Sequence, residues 1–91
     1  MLKLTEQEAK VRSTELKGWT LEGGQLRKTF SFKSFRGSLA FVVQVAMIAE
    51  TMDHHPDIDI RYDKVTLTLS THSAGGLTEK DFLLAQEIDV R

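Results

Sequence analysis

The segment Glu50-Thr51-Met52-Asp53-His54-His55-Pro56 sets two of the chain's three histidines side by side, behind two carboxylates and ahead of its single proline. Imidazole, with an unperturbed pKa of about 6.5, is the side chain best suited to give and take protons near neutral pH. Two imidazoles serve a reaction that needs a base at one atom and an acid at another. Carboxylates such as Glu50 and Asp53 would fix a ring's tautomer and favour its charged form. With no cysteine in the chain and no Ser–His–Asp pattern of nucleophile-elbow type, proton transfer is the expected chemistry.

Plainer readings stand beside this one. An adjacent His pair at a helix end can simply cap the last carbonyls. His72 can be a solvent-facing turn residue, Glu50 and Asp53 a solvated helix end, Asp81 a first-turn partner of the helix dipole, and Tyr62 a strand residue with a wet hydroxyl. A metal site built from His54, His55, His72 and a carboxylate is the sharper rival. Neighbouring residues tend to point different ways, and the pattern is not His-x-x-x-His on one helical face. No metal is expected.

The elements that would hold these residues follow from periodicity. Residue preferences before proline should end a helix near His54–His55, and helical spacing would place Glu50, Asp53 and His54 on one face. That helix should start at Ser38, after a connection at Phe35–Gly37. Phe41, Val45, Ile48 and Met52 follow a buried stripe. Leu39, Val42, Val43, Ala46 and Ala49 add apolar surface around the cylinder, more than one interface uses. Such a helix either passes through the centre of the fold or shows its second side to another subunit, and the small size of the domain favours the subunit.

Upstream, Thr5-Glu6-Gln7-Glu8 has the form of a capping box, opening a helix to about Leu16 that Gly18 stops. It should pack as a lid, with Ala9, Arg12 and Leu16 on or beside its inner stripe. Trp19–Glu22 and Leu26–Phe32 flank Gly23-Gly24-Gln25 as a hairpin. Lys28, Phe30 and Phe32 would share one face, Thr29 and Ser31 the other. Downstream, Asp57–Tyr62 and Val65–Ser70 alternate around Asp63-Lys64 as a second hairpin. Ile58, Ile60 and Tyr62 should face inward with Val65, Leu67 and Leu69. His72 then precedes a flexible Ser73-Ala74-Gly75-Gly76. Thr78 is a good N-cap for a last helix, with Glu79 and Asp81 in its first turn. The order α-β-β-α-β-β-α predicts an α+β fold, a four-stranded antiparallel sheet with helices packed on one face.

Ninety-one residues suit one domain spanning 1–91, burying roughly 60–65% of the unfolded surface. A net charge of −1 offers no broad attraction for nucleic acid or anionic lipid. Arg27, Lys28, Lys33 and Arg36 make at most a small patch, so no direct nucleic-acid partner is expected. The N-terminus has no apolar stretch of signal-peptide length. Leu39–Ala49 falls short of the roughly 20 residues a span requires. No membrane partner and a cytoplasmic location are expected.

On these residues the chain resembles the pterin-4a-carbinolamine dehydratases. Glu50, His54-His55-Pro56, Tyr62, His72 and Asp81 stand at the intervals of that family's signature, and Leu67–His72 is similar to its strand leading into the active-site loop. The resemblance implies removal of water from 4a-hydroxytetrahydropterin to give quinonoid dihydropterin, in recycling of the tetrahydropterin that an aromatic amino acid hydroxylase uses. No cofactor is implied. The resemblance implies His54 and His72 as the acid–base pair, with His55 binding the pterin or sharing its protons. Glu50 and Asp53 would orient the rings, and Asp81 would anchor the loop after His72. Substrate contacts would come from His54, His55, Pro56, Thr71, His72, Ser73, Ala74 and Asp81, in part through the backbone of Thr71–Ala74. Ile58 stands where many animal members carry a pocket tryptophan. The family also implies a homodimer or homotetramer. Some members act instead as dimerisation or assembly partners, through the apolar second helix.

Overall fold

The computed structural model describes residues 2–90. Its elements run α1 (Glu6–Ser13), β1 (Thr20–Glu22), β2 (Gln25–Ser31), α2 (Phe35–Met52), β3 (Asp57–Arg61), β4 (Lys64–Leu69), a 3-10 turn (His72–Ala74) and α3 (Glu79–Asp89). The strands form one antiparallel sheet in the order β1-β2-β4-β3. This is the expected α-β-β-α-β-β-α arrangement.

Pairing register explains which face is covered. Leu26, Lys28 and Phe30 of β2 lie opposite Leu69, Leu67 and Val65 of β4. Strand side chains alternate between faces, so these six share one. Leu26, Val65, Leu67 and Leu69 are buried beneath Phe41, Val45 and Ala49 of α2 and Phe82, Leu84, Ala85 and Ile88 of α3. Each such large apolar side chain contributes about 1.5–3 kcal/mol by leaving water. Arg27, Thr29 and Ser31, paired with Thr68, Thr66 and Lys64, take the open face.

Both hairpins turn on residues with positive φ. Gly23 (φ 54) and Gly24 (φ 77) form the first turn, since Glu22 pairs with Gln25. Two consecutive left-handed residues match the twist of the flanking strands, and glycine adopts them without strain. The second turn is Tyr62-Asp63, because Arg61 pairs with Lys64. It therefore lies one residue earlier than the alternation suggests. Tyr62 occupies the left-handed region (φ 53) and is exposed rather than inward-facing. Ile58 and Ile60 do share the core face, opposite Leu67 and Val65, but β3 is an edge strand and leaves them partly exposed.

The helices differ from expectation at their ends. α1 has the capping box of Thr5 and Glu8, but stops at Ser13. Turn hydrogen bonds carry the chain from there to the buried Leu16. α2 begins at Phe35, three residues early, because Ser34 is its N-cap and accepts from the Gly37 N–H at 3.1 Å. The residues that had looked like a connection are its first turn. By length and composition alone α2 could cross a membrane. Here its Ser38, Phe41, Val45 and Ala49 face is buried in the core. Phe35, Leu39, Val43 and Met47 form an exposed apolar stripe on another side.

Polar ties fasten α3 near both ends. Arg12 of α1 pairs with Glu79 in the first turn of α3 and lies over the Phe82 ring at 5.0 Å. At the far end, Asp89 accepts hydrogen bonds from Trp19 Nε1 at 2.9 Å and Lys28 Nζ at 3.0 Å. The same ammonium group sits 4.8 Å from the Phe30 ring centroid, close enough for cation–π attraction.

Candidate active site

α2 ends in a turn that separates its last residues from the histidines. Asp53 is left-handed (φ 50), and the His54 N–H reaches back to the Ala49 carbonyl at 3.0 Å. This six-to-one hydrogen bond is the Schellman stop, usually made with glycine and tolerated by a short polar residue such as Asp. Asp53 thus shapes the backbone, and its side chain makes no hydrogen bond to either ring. Helical phase is lost at this point, so Glu50, Asp53 and His54 do not form the single face that helix spacing suggests. Glu50 Oε1 instead meets His55 Nε2 at 2.8 Å in an exposed pair.

His54 turns the other way. Its ring is buried, and Nε2 lies 2.5 Å from Oδ1 of Asp81, a residue with no solvent exposure. The second oxygen of Asp81 accepts from the Thr71 hydroxyl at 2.8 Å and from the Thr78 N–H at 2.9 Å. Thr71 and Thr78 Oγ1 are themselves 2.8 Å apart. One carboxylate therefore joins the end of α2, the end of the sheet and the start of α3.

The loop carrying His72 closes on Thr71. The Thr71 N–H donates to the Gly76 carbonyl at 2.8 Å, and the Thr71 carbonyl accepts from Ala74 and Gly75, both at 3.0 Å. Gly75 (φ 76) supplies the left-handed residue that reverses the chain. These bonds engage both main-chain groups of Thr71 and the N–H of Ala74 within the loop. His72 and Ser73 are exposed, directly after an anchored residue, and among the described residues neither side chain has a hydrogen-bond partner. Pro56 is half-buried between His55 and the first residue of β3.

The two imidazoles thus differ in setting. His54 is held by a buried carboxylate, whereas His72 is presented to solvent without a fixed partner. Thr71 and Asp81 direct their side-chain polar atoms at each other, at Thr78 and at His54, and so bear on chemistry through the His54 ring. Among the described residues no group of three His, Asp or Glu side chains is placed to hold a metal ion. Two concavities, of about 790 and 460 Å³, are lined by none of the three histidines, although the larger one borders the far side of the loop at Gly75–Leu77. Sequence reasoning placed Thr78 only as a helix cap. Its link to Asp81 is the local capping box Thr78-x-x-Asp81, whereas the link to Thr71 had no local signal and forms only where the strand end meets α3.

Comparison with known proteins gives the family and the fold. Residues 2–90 match the model of the family described as pterin 4 alpha carbinolamine dehydratase. The chain is 56% identical over 87 residues to a Roseiflexus sp. (strain RS-1) protein provisionally named a pterin-4-alpha-carbinolamine dehydratase, covering 96% of this chain and 94% of that one. A Sulfolobus acidocaldarius protein with the same provisional name is 52% identical over 88 residues, covering 97% of each. Among solved structures, a transcriptional coactivator/pterin dehydratase from Brucella melitensis superposes with a TM-score of 0.91 at 37% identity, over 97% of this chain and 96% of that one. A pterin dehydratase-like protein identified as a RuBisCO assembly factor of the alpha-carboxysome matches with a TM-score of 0.64 at 26% identity, covering 79% and 83%.

Proposed function

The chain belongs to the pterin 4 alpha carbinolamine dehydratase family, and on that premise we propose that it removes water from a 4a-hydroxytetrahydropterin, giving quinonoid dihydropterin by histidine acid–base catalysis. The observation that carries this reading is the Asp81 carboxylate, which takes His54 on one oxygen and Thr71, the neighbour of His72, on the other. The residue that precedes His72 is thereby tied to the same carboxylate as the His54 ring. Dehydration needs the C4a hydroxyl to leave with an added proton and N5 to give one up. His54 and His72 form the pair that moves them. His55, steadied by Glu50, hydrogen-bonds the pterin. His72, Ser73 and Ala74 offer further polar contacts to the pterin, and Pro56 packs against it from beside His55. The residues demand no cofactor. We place this activity in a single domain, in the cytoplasm, as part of tetrahydropterin recycling.

Stopped-flow absorbance with synthetic carbinolamine tests the assignment. Wild type should accelerate dehydration, and His54→Gln and His72→Ala should each lower the rate roughly 10²-fold. Undiminished turnover in both variants would remove this mechanism.

A second reading rests on the exposed Phe35–Leu39–Val43–Met47 stripe. A face this apolar suits a partner helix, and a structural relative acts as an assembly factor. We assign the stripe to contact with further copies of the chain, as a homodimer or homotetramer. A heterologous partner is the alternative, and retention of such binding by an inactive His72 variant would support it.

A further inference from the structure

Building on that reading, we propose that Thr71 and Thr78 are positioning residues for the dehydration: through Asp81 they fix the His54 tautomer in which Nδ1, not Nε2, exchanges the proton with substrate.

Counting protons gives the direction of every bond. A threonine hydroxyl has one hydrogen, and that of Thr71 goes to Asp81 Oδ2. In the 2.8 Å contact between the two hydroxyls, Thr78 must therefore be the donor. The Thr78 N–H also points at Oδ2. The sequence of donors is Thr78 to Thr71 to Asp81, with the amide of Thr78 as a second donor to the same oxygen.

Asp81 and Thr78 have no solvent exposure and Thr71 has 8%, so water does not compete. Among the described residues, no buried side-chain nitrogen or oxygen is left without a partner. With two donors on Oδ2, the carboxylate acts as an acceptor in this network. The group 2.5 Å from its other oxygen is His54 Nε2, which then carries the hydrogen. Neutral imidazole has one N–H, so Nδ1 holds the free lone pair. Among the described residues Nδ1 has no hydrogen-bond partner, and since no fully buried side-chain nitrogen lacks one, it lies on the accessible edge of the ring.

Proton bookkeeping closes on this arrangement. The N5 proton of substrate passes to Nδ1, and the imidazolium is stabilised by Asp81. The C4a–O bond breaks as His72 gives a proton to the departing hydroxyl, which leaves as water. A proton returning from His54 to His72 through solvent restores the starting state.

The test joins nitrogen NMR to kinetics. In wild type, ¹⁵N spectra should show His54 Nε2 protonated and Nδ1 bare. Thr71→Val keeps the shape but removes the hydroxyl; it should mix the two tautomers and lower kcat roughly tenfold with little change in KM, while Thr71→Ser should restore both. A wild-type His54 protonated at Nδ1 would overturn the inference, and so would a Thr71→Val enzyme with unchanged ring signals and kcat. If Thr71→Val does not fold, the wild-type and Thr71→Ser spectra still decide the tautomer. Wild type without turnover would overturn the dehydration itself, and the catalytic half of this inference with it, while the nitrogen spectrum judges the tautomer separately.

Discussion

His54 and His55 are adjacent in the chain yet stand in opposite surroundings. The first is buried against Asp81, and the second is exposed against Glu50. The left-handed Asp53 causes the split, because it ends the helix and turns the backbone before the pair. Sharing one residue type, the two should respond differently to substitution.

Stability separates them first. His54→Ala leaves the buried Asp81 carboxylate without its imidazole partner and opens space around it. Breaking a buried pair is costly, and with two other donors still on Asp81 a loss of about 2–4 kcal/mol is expected. His55→Ala removes only a screened surface pair, worth below about 1 kcal/mol. Urea denaturation at neutral pH checks both, and equal losses would contradict the burial difference.

His72 should show the reverse pattern. Its ring makes no hydrogen bond among the described residues and lies in solvent, so His72→Ala should leave the denaturation midpoint within error while turnover falls. A clear loss of stability would mean that the ring is held by something other than substrate.

Acid should weaken the tie between α1 and α3. Hydrogen bonding from Arg12 holds the Glu79 carboxyl below its ordinary value of 4.5, and its charge adds to the effect against partial desolvation. A lowered folded pKa contributes stability that is present above the unfolded value and lost as pH falls through the folded one. Glu79 is 47% exposed, so the effect is small, under about 1 kcal/mol after screening. Wild type should exceed Glu79→Gln in stability at pH 7, and the gap should close below pH 4.5 and narrow in high salt. A gap that persists at pH 3 would locate the effect elsewhere.

The open side of α2 gives a prediction about assembly. Val43 and Met47 are 61% and 67% exposed, so a charge at either costs the single chain little. Val43→Glu should reduce the mass seen by sedimentation while leaving the circular dichroism spectrum unchanged. An unaltered mass would exclude this stripe as a contact between copies.

Much of this molecule is visible in its pattern of residues, and the misses have identifiable causes. Alternation located the core face of β2 and β4, since both are central strands covered by helices. It failed at Tyr62, where a turn residue continues the apolar rhythm but adopts a left-handed backbone. The start of α2 was obscured because Gly37 looks like a breaker, whereas Ser34 caps a helix that simply includes it. At the site, residue types marked the histidines and their neighbouring acids. Which acid meets which ring was not legible, because the Asp53 turn breaks helical phase and hands Glu50 to His55. The partner of His54 lies on α3, and its threonine support is scattered over the strand end and the cap. Tertiary contact alone brings His54 and Thr71 to Asp81, while Thr78 reaches it through the local helix cap.

The two tethers of α3 carry an implication for how this sequence can change. Glu79 is fastened to α1 and Asp89 to the Trp19–Lys28 pair, with Asp81 between them. The helix is thus a ruler clamped at both marks. Inserting one residue between Asp81 and Asp89 would displace one clamp relative to the other by about 1.5 Å and 100°. Length variation should therefore be confined to the loops, while the interval from Glu79 to Asp89 stays constant wherever the His54 seat is kept.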